Sequence, residues 1–198
     1  MQLDIPPGKF AGYIFDLDGT LIDTMPLHYR AWDQTMRRAG LPKKLDEELF
    51  YSLGGLPTKR VAEKFAEHYG LQIDADQVFH DKEELFTLLQ DDAKLIAPTV
   101  EFARHAAATH PMAVASGGPR AVVRRSLKVA GLAPLFKVVV TSDDVKHGKP
   151  APDLFLLAAK LMNVPPAECL VFEDAEPGFK AAQAAGMKVV RVPSRIGQ

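Results

Sequence analysis

Five short apolar runs dominate the chain: Ala11–Phe15, Met112–Ala115, Lys137–Val140, Cys169–Phe172 and Lys188–Val192. Most are continuously apolar and rich in Val or Ile, without alternating polar positions. A strand with one wet face alternates; a run that stays apolar must be covered on both faces, as in a parallel sheet. Parallel strands need crossovers, and the segments between the runs supply them. Pro119–Ala130 is followed by Gly131, Asp153–Met162 by Asn163 and Pro177–Ala185 by Gly186, each a helical pattern with a C-terminal stop. Strand and helix alternate from about residue 98 to the end. The expected fold class is therefore α/β, with a doubly wound parallel sheet.

Between Ile22 and Ala97 the pattern changes, and no strand is expected there. Met25–Ala39 follows the cap candidates Asp23 and Thr24, carries Pro26 in its first turn and ends at Gly40. Asp46–Leu53, Thr58–Tyr69 and Asp74–Asp91 complete four helical segments. A helical block between the first strand and the rest of the sheet reads as an insert. The expected organisation is a core from residues 1–21 and 98–198, with an inserted helical unit over residues 22–97.

Charge and composition exclude several partners. The 24 Lys+Arg nearly balance 25 Asp+Glu, giving −1, so nothing pulls the chain toward nucleic acid. No apolar run approaches the roughly 18 residues of a membrane helix, and Met1–Phe10 lacks the basic start and apolar stretch of a signal peptide. Cys169 is the single cysteine, which rules out an internal disulfide and a cysteine-rich metal site. The expectation is a cytoplasmic protein with no membrane or nucleic-acid partner.

The polar residues fall at strand ends. Asp16 ends the first run and Asp18 follows; Ser116 ends the second, Thr141-Ser142 the third and Glu173-Asp174 the fourth, with Lys149 a short loop beyond the third. In an open parallel sheet these positions converge on one crevice. Carboxylates alone would repel each other there, so Asp16, Glu173 and Asp174 point to hard-oxygen coordination of Mg²⁺. Ser116 and Lys149 can hold a phosphate oxygen. Asp16 can attack phosphorus, and Asp18 can protonate a leaving oxygen and later deprotonate water. The assembled chemistry is phosphoryl transfer through an aspartyl phosphate.

FDLDGT (Phe15–Thr20), VASGG (Val114–Gly118), KPAPD (Lys149–Asp153) and VFEDAEPGFKAAQAAGM (Val171–Met187) resemble, in order, the four motifs of the haloacid dehalogenase superfamily. The resemblance spans the whole chain and implies a Rossmann-like core with an α-helical cap. It implies Asp16 as nucleophile and metal ligand, and Asp18 as acid/base with its carbonyl on the metal. Ser116, Gly117 and Lys149 would bind phosphate, Asp174 would bind magnesium, and Glu173 would be a ligand or stand behind one. Within the superfamily the chain is similar to the beta-phosphoglucomutase-like branch, and Asp143–Val164 to small bacterial sugar-phosphate phosphatases.

The resemblance bears on phosphatase against mutase. The mutases typically carry Val where this chain has Thr20, and a cap Arg for a second phosphate where it has Thr58. Lys59 or Arg60 remains a possible substitute. His28, Gly55 and Lys82 are the cap candidates for substrate contact, and a small phosphorylated sugar is the expected ligand. A monomer is adequate for catalysis. A phospho-accepting receiver module is disfavoured by the helical block, which makes sense as an active-site lid.

Other residues have plainer readings. Cys169, at the start of an apolar strand, is expected to be a buried inert thiol. Trp32 is expected to pack rather than stack on substrate. His28 has two readings, a substrate or gating group and a partly exposed structural histidine. Lys43-Lys44 reads as a solvated loop pair, and Asp143-Asp144 as local backbone acceptors. His105, His110 and His147 lack metal spacing.

Overall fold

A computed structural model of the chain describes residues 3–54 and 56–193. The first half contains β1 (Gly12–Phe15), β2 (Ile22–Asp23), α1 (Met25–Arg38), α2 (Glu47–Ser52), α3 (Thr58–Tyr69), α4 (Ala75–Leu89) and β3 (Lys94–Leu95). The second contains α5 (Ala97–Ala106), β4 (Met112–Ala115), α6 (Arg120–Val129), β5 (Val138–Val140), α7 (Asp153–Met162), β6 (Cys169–Glu173), α8 (Glu176–Ala184) and β7 (Lys188–Arg191). The five expected strands form one parallel sheet in the order β5-β4-β1-β6-β7.

Period-two geometry sends neighbouring residues of each strand to opposite faces, and each face has its own apolar layer. Phe15, Val114, Phe172 and Val190 pack with Val100 and Ala103 of α5 and Leu127 of α6. Ile14, Ala113, Val140 and Val171 pack with Phe155 and Ala158 of α7 and Ala182 of α8. The rings of Phe15 and Phe172 stack at 4.7 Å, 12° from parallel, locking β1 to β6. This two-sided cover is why the runs are apolar throughout.

Helices α1 to α4 surround a separate cluster that includes Trp32, Met36, Phe50, Phe65 and Val78. Trp32 meets Phe65 edge-on at 5.2 Å, in agreement with a packing role. Contacts with α6 hold the helical block against the sheet unit: Gln90 Nε2 donates to Ser126 Oγ at 2.8 Å, and Arg125 pairs with Asp91 at 3.2 Å. Among the described residues, no helix is long and apolar enough to cross a membrane.

Two expectations are corrected. The stretch from Ile22 to Ala97 does contain strand: β2 and β3 pair antiparallel, Ile22 opposite Leu95 and Asp23 opposite Lys94. Two-residue strands carry no readable period, and this ribbon exists because the block's entry and exit chains run side by side. Second, Thr24 does not cap α1 with its side chain, which is turned toward Asp18 instead. Asp46 and Asp74 do cap, accepting from Leu49 N and from Asp76 N and Gln77 N.

Cys169 lies fully buried in β6, and burial in the core, with Glu168 adding to it, pushes its thiol up to about 11. Raising the pKa empties the thiolate that reacts. At pH 8 the folded protein should be labelled by a thiol reagent about 100-fold more slowly than the unfolded chain; equal rates would refute the burial assigned to it. Asp144 is the local acceptor expected, while Asp143 instead reaches across to another element. Asp144 accepts from Thr141 N and Oγ1, and Asp143 accepts from Arg120 N at the start of α6.

Candidate active site

The direction of chain crossover changes at β1: β4 and β5 extend the sheet on one side, β6 and β7 on the other. Ligand crevices open at the carboxyl end of such a switch point. Asp16 leaves β1 there, Ser116 leaves β4, Glu173 closes β6 and Asp174 follows it. All four are buried, as is Lys149.

Carboxylate oxygens of Asp16, Glu173 and Asp174 lie within 4.8 Å of one another. Lys149 Nζ donates to Asp16 Oδ1 at 2.6 Å and to Glu173 Oε1 at 2.9 Å. Glu173 Oε2 accepts from Asp174 N at 2.7 Å and from Ala175 N at 3.4 Å. Both Glu173 oxygens therefore have protein partners, so this carboxylate orients its neighbours. Thr20 Oγ1 donates to Asp174 Oδ1 at 3.2 Å. Gly19, at φ +86°, and Gly178 let the backbone approach: a Cβ on the first would overlap Asp174, and on the second Glu173.

Three buried carboxylates face one buried ammonium, and the electrostatics record the imbalance. Burial, reinforced by Glu173, outweighs the attraction of Lys149 and raises Asp16 from 3.8 to about 7. Burial alone would lower Lys149, but Asp16 and Glu173 hold it above the ordinary lysine range. A hard divalent cation fits this donor set, which is all oxygen and carries excess negative charge.

Asp18 stands at the junction with the helical block. Thr24 Oγ1 donates to its Oδ1 at 2.6 Å, and His28 Nε2 is 3.5 Å from the same atom. Burial would raise Asp18, but the contacts with His28 and Thr24 and the charge of Lys82 keep it below its usual value. His28 is itself lowered, by burial and then by Lys82, and so is neutral near pH 7. Its ring stacks on Phe86 at 3.7 Å, 6° from parallel. Lys82 is buried with Nζ 5.0 Å from the Phe86 ring centre, and pairs with Glu83 Oε1 at 2.8 Å.

These groups line one cavity of about 340 Å³ between the sheet edge and the helices, within the usual range for small-molecule sites. Asp16, Asp18, Ser116 and Gly117 line one side; His28 and Lys82 line the other. Gly117 carries no side chain and a Cβ there would touch nothing within 4 Å, which leaves its backbone open to a ligand. Ser116 Oγ accepts from Gly118 N at 3.1 Å, and a hydroxyl that accepts keeps its proton for a second partner. Of the residues expected from the sequence, Gly55 lies outside the described residues; the others meet here. Lys59 and Arg60 do not line the cavity: they are exposed and paired with Asp76 and Glu63.

Three residues have roles at the site that the sequence did not assign to them. Thr20 and Thr24 each hold a site carboxylate, where the sequence offered Thr20 only as a mark against the mutases and Thr24 only as a helix cap. Glu83 had no signal beyond its place next to Lys82.

A Rossmann-like sheet with acids, a hydroxyl and a lysine at its switch point defines a class of phosphate-handling hydrolase, and comparison with known proteins places the chain within it. A family model for haloacid dehalogenase-like hydrolases matches residues 10–186, and the chain belongs to that family. It is 40% identical over 184 residues to fructose-1-phosphate phosphatase YqaB of Escherichia coli, covering 93% of this chain and 97% of that protein. Hexitol phosphatase A of the same organism is 35% identical over 193 residues, with 91% and 82% covered. Among solved structures, CbbY from Rhodobacter sphaeroides in complex with phosphate superposes with a TM-score of 0.82 at 26% identity, covering 91% of this chain and 84% of that one. The chain is an enzyme of a phosphatase family.

Proposed function

We propose that the protein is a Mg²⁺-dependent phosphatase of small sugar and polyol monophosphates, with residues 22–97 as the substrate-selecting cap. The observation that carries the reading is the cavity itself: its sheet side is built for a phosphoryl group, and its helical side holds little uncompensated charge. Asp16 and Asp174, with the Asp18 carbonyl, would hold the metal, and Glu173 would keep Asp174 and Lys149 in place. Bound there, the metal would neutralise charge on the phosphoryl group and on Asp16.

The chain's own residues account for both half-reactions. Ser116 Oγ, the Gly117 backbone and Lys149 Nζ hold the phosphoryl oxygens. Asp16 attacks phosphorus, forming an acyl phosphate as the ester P–O bond breaks, and Asp18 delivers a proton to the departing alkoxide. Asp18 is held as a carboxylate by Thr24 and His28, which suits the second half, where it takes a proton from water. For the first half, an arriving phosphate dianion disfavours the charged form and raises the Asp18 pKa. Water attack then releases phosphate and restores Asp16.

Several features support a phosphatase over a mutase. A bisphosphate needs a cation in the cap, yet Lys82 is neutralised by Glu83, while Lys59 and Arg60 form exposed pairs away from the cavity. The two relatives are named for phosphatase activity on fructose 1-phosphate and on hexitol substrates. One chain supplies the lining, so a monomer suffices, and a lone buried cysteine suits a reducing cytoplasm.

The test is phosphate release, with Mg²⁺, from hexose, pentose, triose and hexitol phosphates, with and without glucose 1,6-bisphosphate. Release from one or a few substrates, indifferent to the bisphosphate, is expected. Isomerisation of a hexose phosphate that starts only when bisphosphate is added would replace this reading with the mutase.

A further inference from the structure

The cavity holds one carboxylate that the phosphoryl chemistry does not use. Glu83, on α4, lines the cavity from the helical side. Its Oε1 accepts from Lys82 Nζ at 2.8 Å and from Thr58 Oγ1 at 3.3 Å. Those two donors come from different helices and hold Oε1 between them. Its Oε2 is buried with no hydrogen-bond partner among the described residues. A buried carboxylate oxygen without a donor bears a desolvation penalty that proteins rarely leave standing, and here the residue that carries it lines the cavity.

The chemistry of that donor is restricted. A carboxylate accepts and cannot donate. It rewards an O–H that points at it. Lys82, drawn to the other oxygen, offers donors beside it, so an adjacent pair of substrate hydroxyls has one acceptor and one donor within reach. Thr58, at the start of α3, serves to position Glu83.

We infer that Glu83 is a specificity residue that accepts a hydrogen bond from a hydroxyl of the substrate's carbon chain. The inference rests on the sugar-phosphatase reading and extends it to the group that reads the polyol. A site built to bond a hydroxyl rejects an analogue lacking it, because its buried acceptor is then left unpaired.

The experiment compares wild type and the near-isosteric Glu83→Gln on three kinds of substrate. These are the best sugar monophosphate from the panel, its deoxy analogues, and p-nitrophenyl phosphate, which has no carbon-chain hydroxyl. Glu83→Gln should lower kcat/KM for the sugar phosphate relative to p-nitrophenyl phosphate by about 10-fold or more, mainly through KM. One deoxy analogue should lose a similar factor on wild type and little further on the variant, since the same bond is already gone. Because the deoxy series is run on wild type, the inference stays testable if the variant folds poorly.

A parallel fall on both substrates, with no deoxy analogue discriminated by wild type, means that Glu83 serves structure alone and overturns the inference while the phosphatase stands. A wild-type enzyme that hydrolyses none of the sugar phosphates removes the phosphatase reading and this inference with it.

Discussion

Asp16→Asn is expected to lower turnover by about 10⁴-fold or more, the scale of nucleophile removal in covalent catalysis, while leaving the folded protein at least as stable at neutral pH. The two effects share one cause. Asp16 sits buried against Glu173, and its pKa of about 7 means that the folded state tolerates its charge poorly. The sign follows from linkage. An acid whose folded pKa exceeds its unfolded value binds more protons folded than unfolded between the two, so stability falls as pH rises from about 4 to about 7. Removing the carboxylate removes that slope. In chelator, Asp16→Asn should therefore melt at or above wild type at pH 8, with the gap closing toward pH 4.5. Magnesium should raise the melting temperature of wild type at pH 8, more than it does at pH 5.5, because protons and metal compete for the same oxygens. Thermal melts at two pH values with and without Mg²⁺ provide the check. An Asp16→Asn protein that turns over at a tenth of the wild-type rate would remove Asp16 from the nucleophile's role.

The sheet side of this site was legible because strand ends in a parallel sheet are fixed by topology. Once β1, β4 and β6 are read as covered strands, Asp16, Ser116 and Glu173 must share an edge, whatever lies between them in sequence. Lys149 was legible from its neighbours in KPAPD more than from any period. The helical side was harder. His28, Lys82 and Glu83 sit on amphipathic helices, where a residue's face is readable but the helix it opposes is not. The stack of His28 on Phe86, and the bond from Thr58 to Glu83, depend on how α1, α3 and α4 are set against one another. The β2–β3 ribbon was hidden for a related reason: two residues at each end of the insert pair only because the chain returns to its point of departure. Thr24 was misread because a hydroxyl before a helix is usually a cap. Here a carboxylate 2.6 Å away is the stronger acceptor.

Lys149→Met is expected to cost both activity and stability, and its pH dependence separates charge from packing. The lysine's stem lies in the core with its ammonium 5.1 Å from the Phe155 ring centre, and methionine replaces most of that apolar volume. What disappears is the donor to both Asp16 and Glu173. Breaking a buried ion pair from one side costs about 3–5 kcal/mol, which for a chain of this size corresponds to a loss of roughly 10 °C in Tm. Lys149 is the charge that pulls Asp16 down against burial and Glu173. Without it Asp16 is driven further above its unfolded pKa, and the variant binds extra protons when folded. Its deficit should therefore be largest at pH 8 and shrink by pH 5.5, where protonation substitutes for the missing charge. Magnesium should recover part of the loss at pH 8 by supplying positive charge to the same carboxylates, while phosphate release stays at least about 100-fold down because the phosphoryl group has lost its cation. A deficit of equal size at both pH values, untouched by magnesium, would mean that Lys149 contributes volume and not charge, and that the three carboxylates are neutralised by something other than the pair described here.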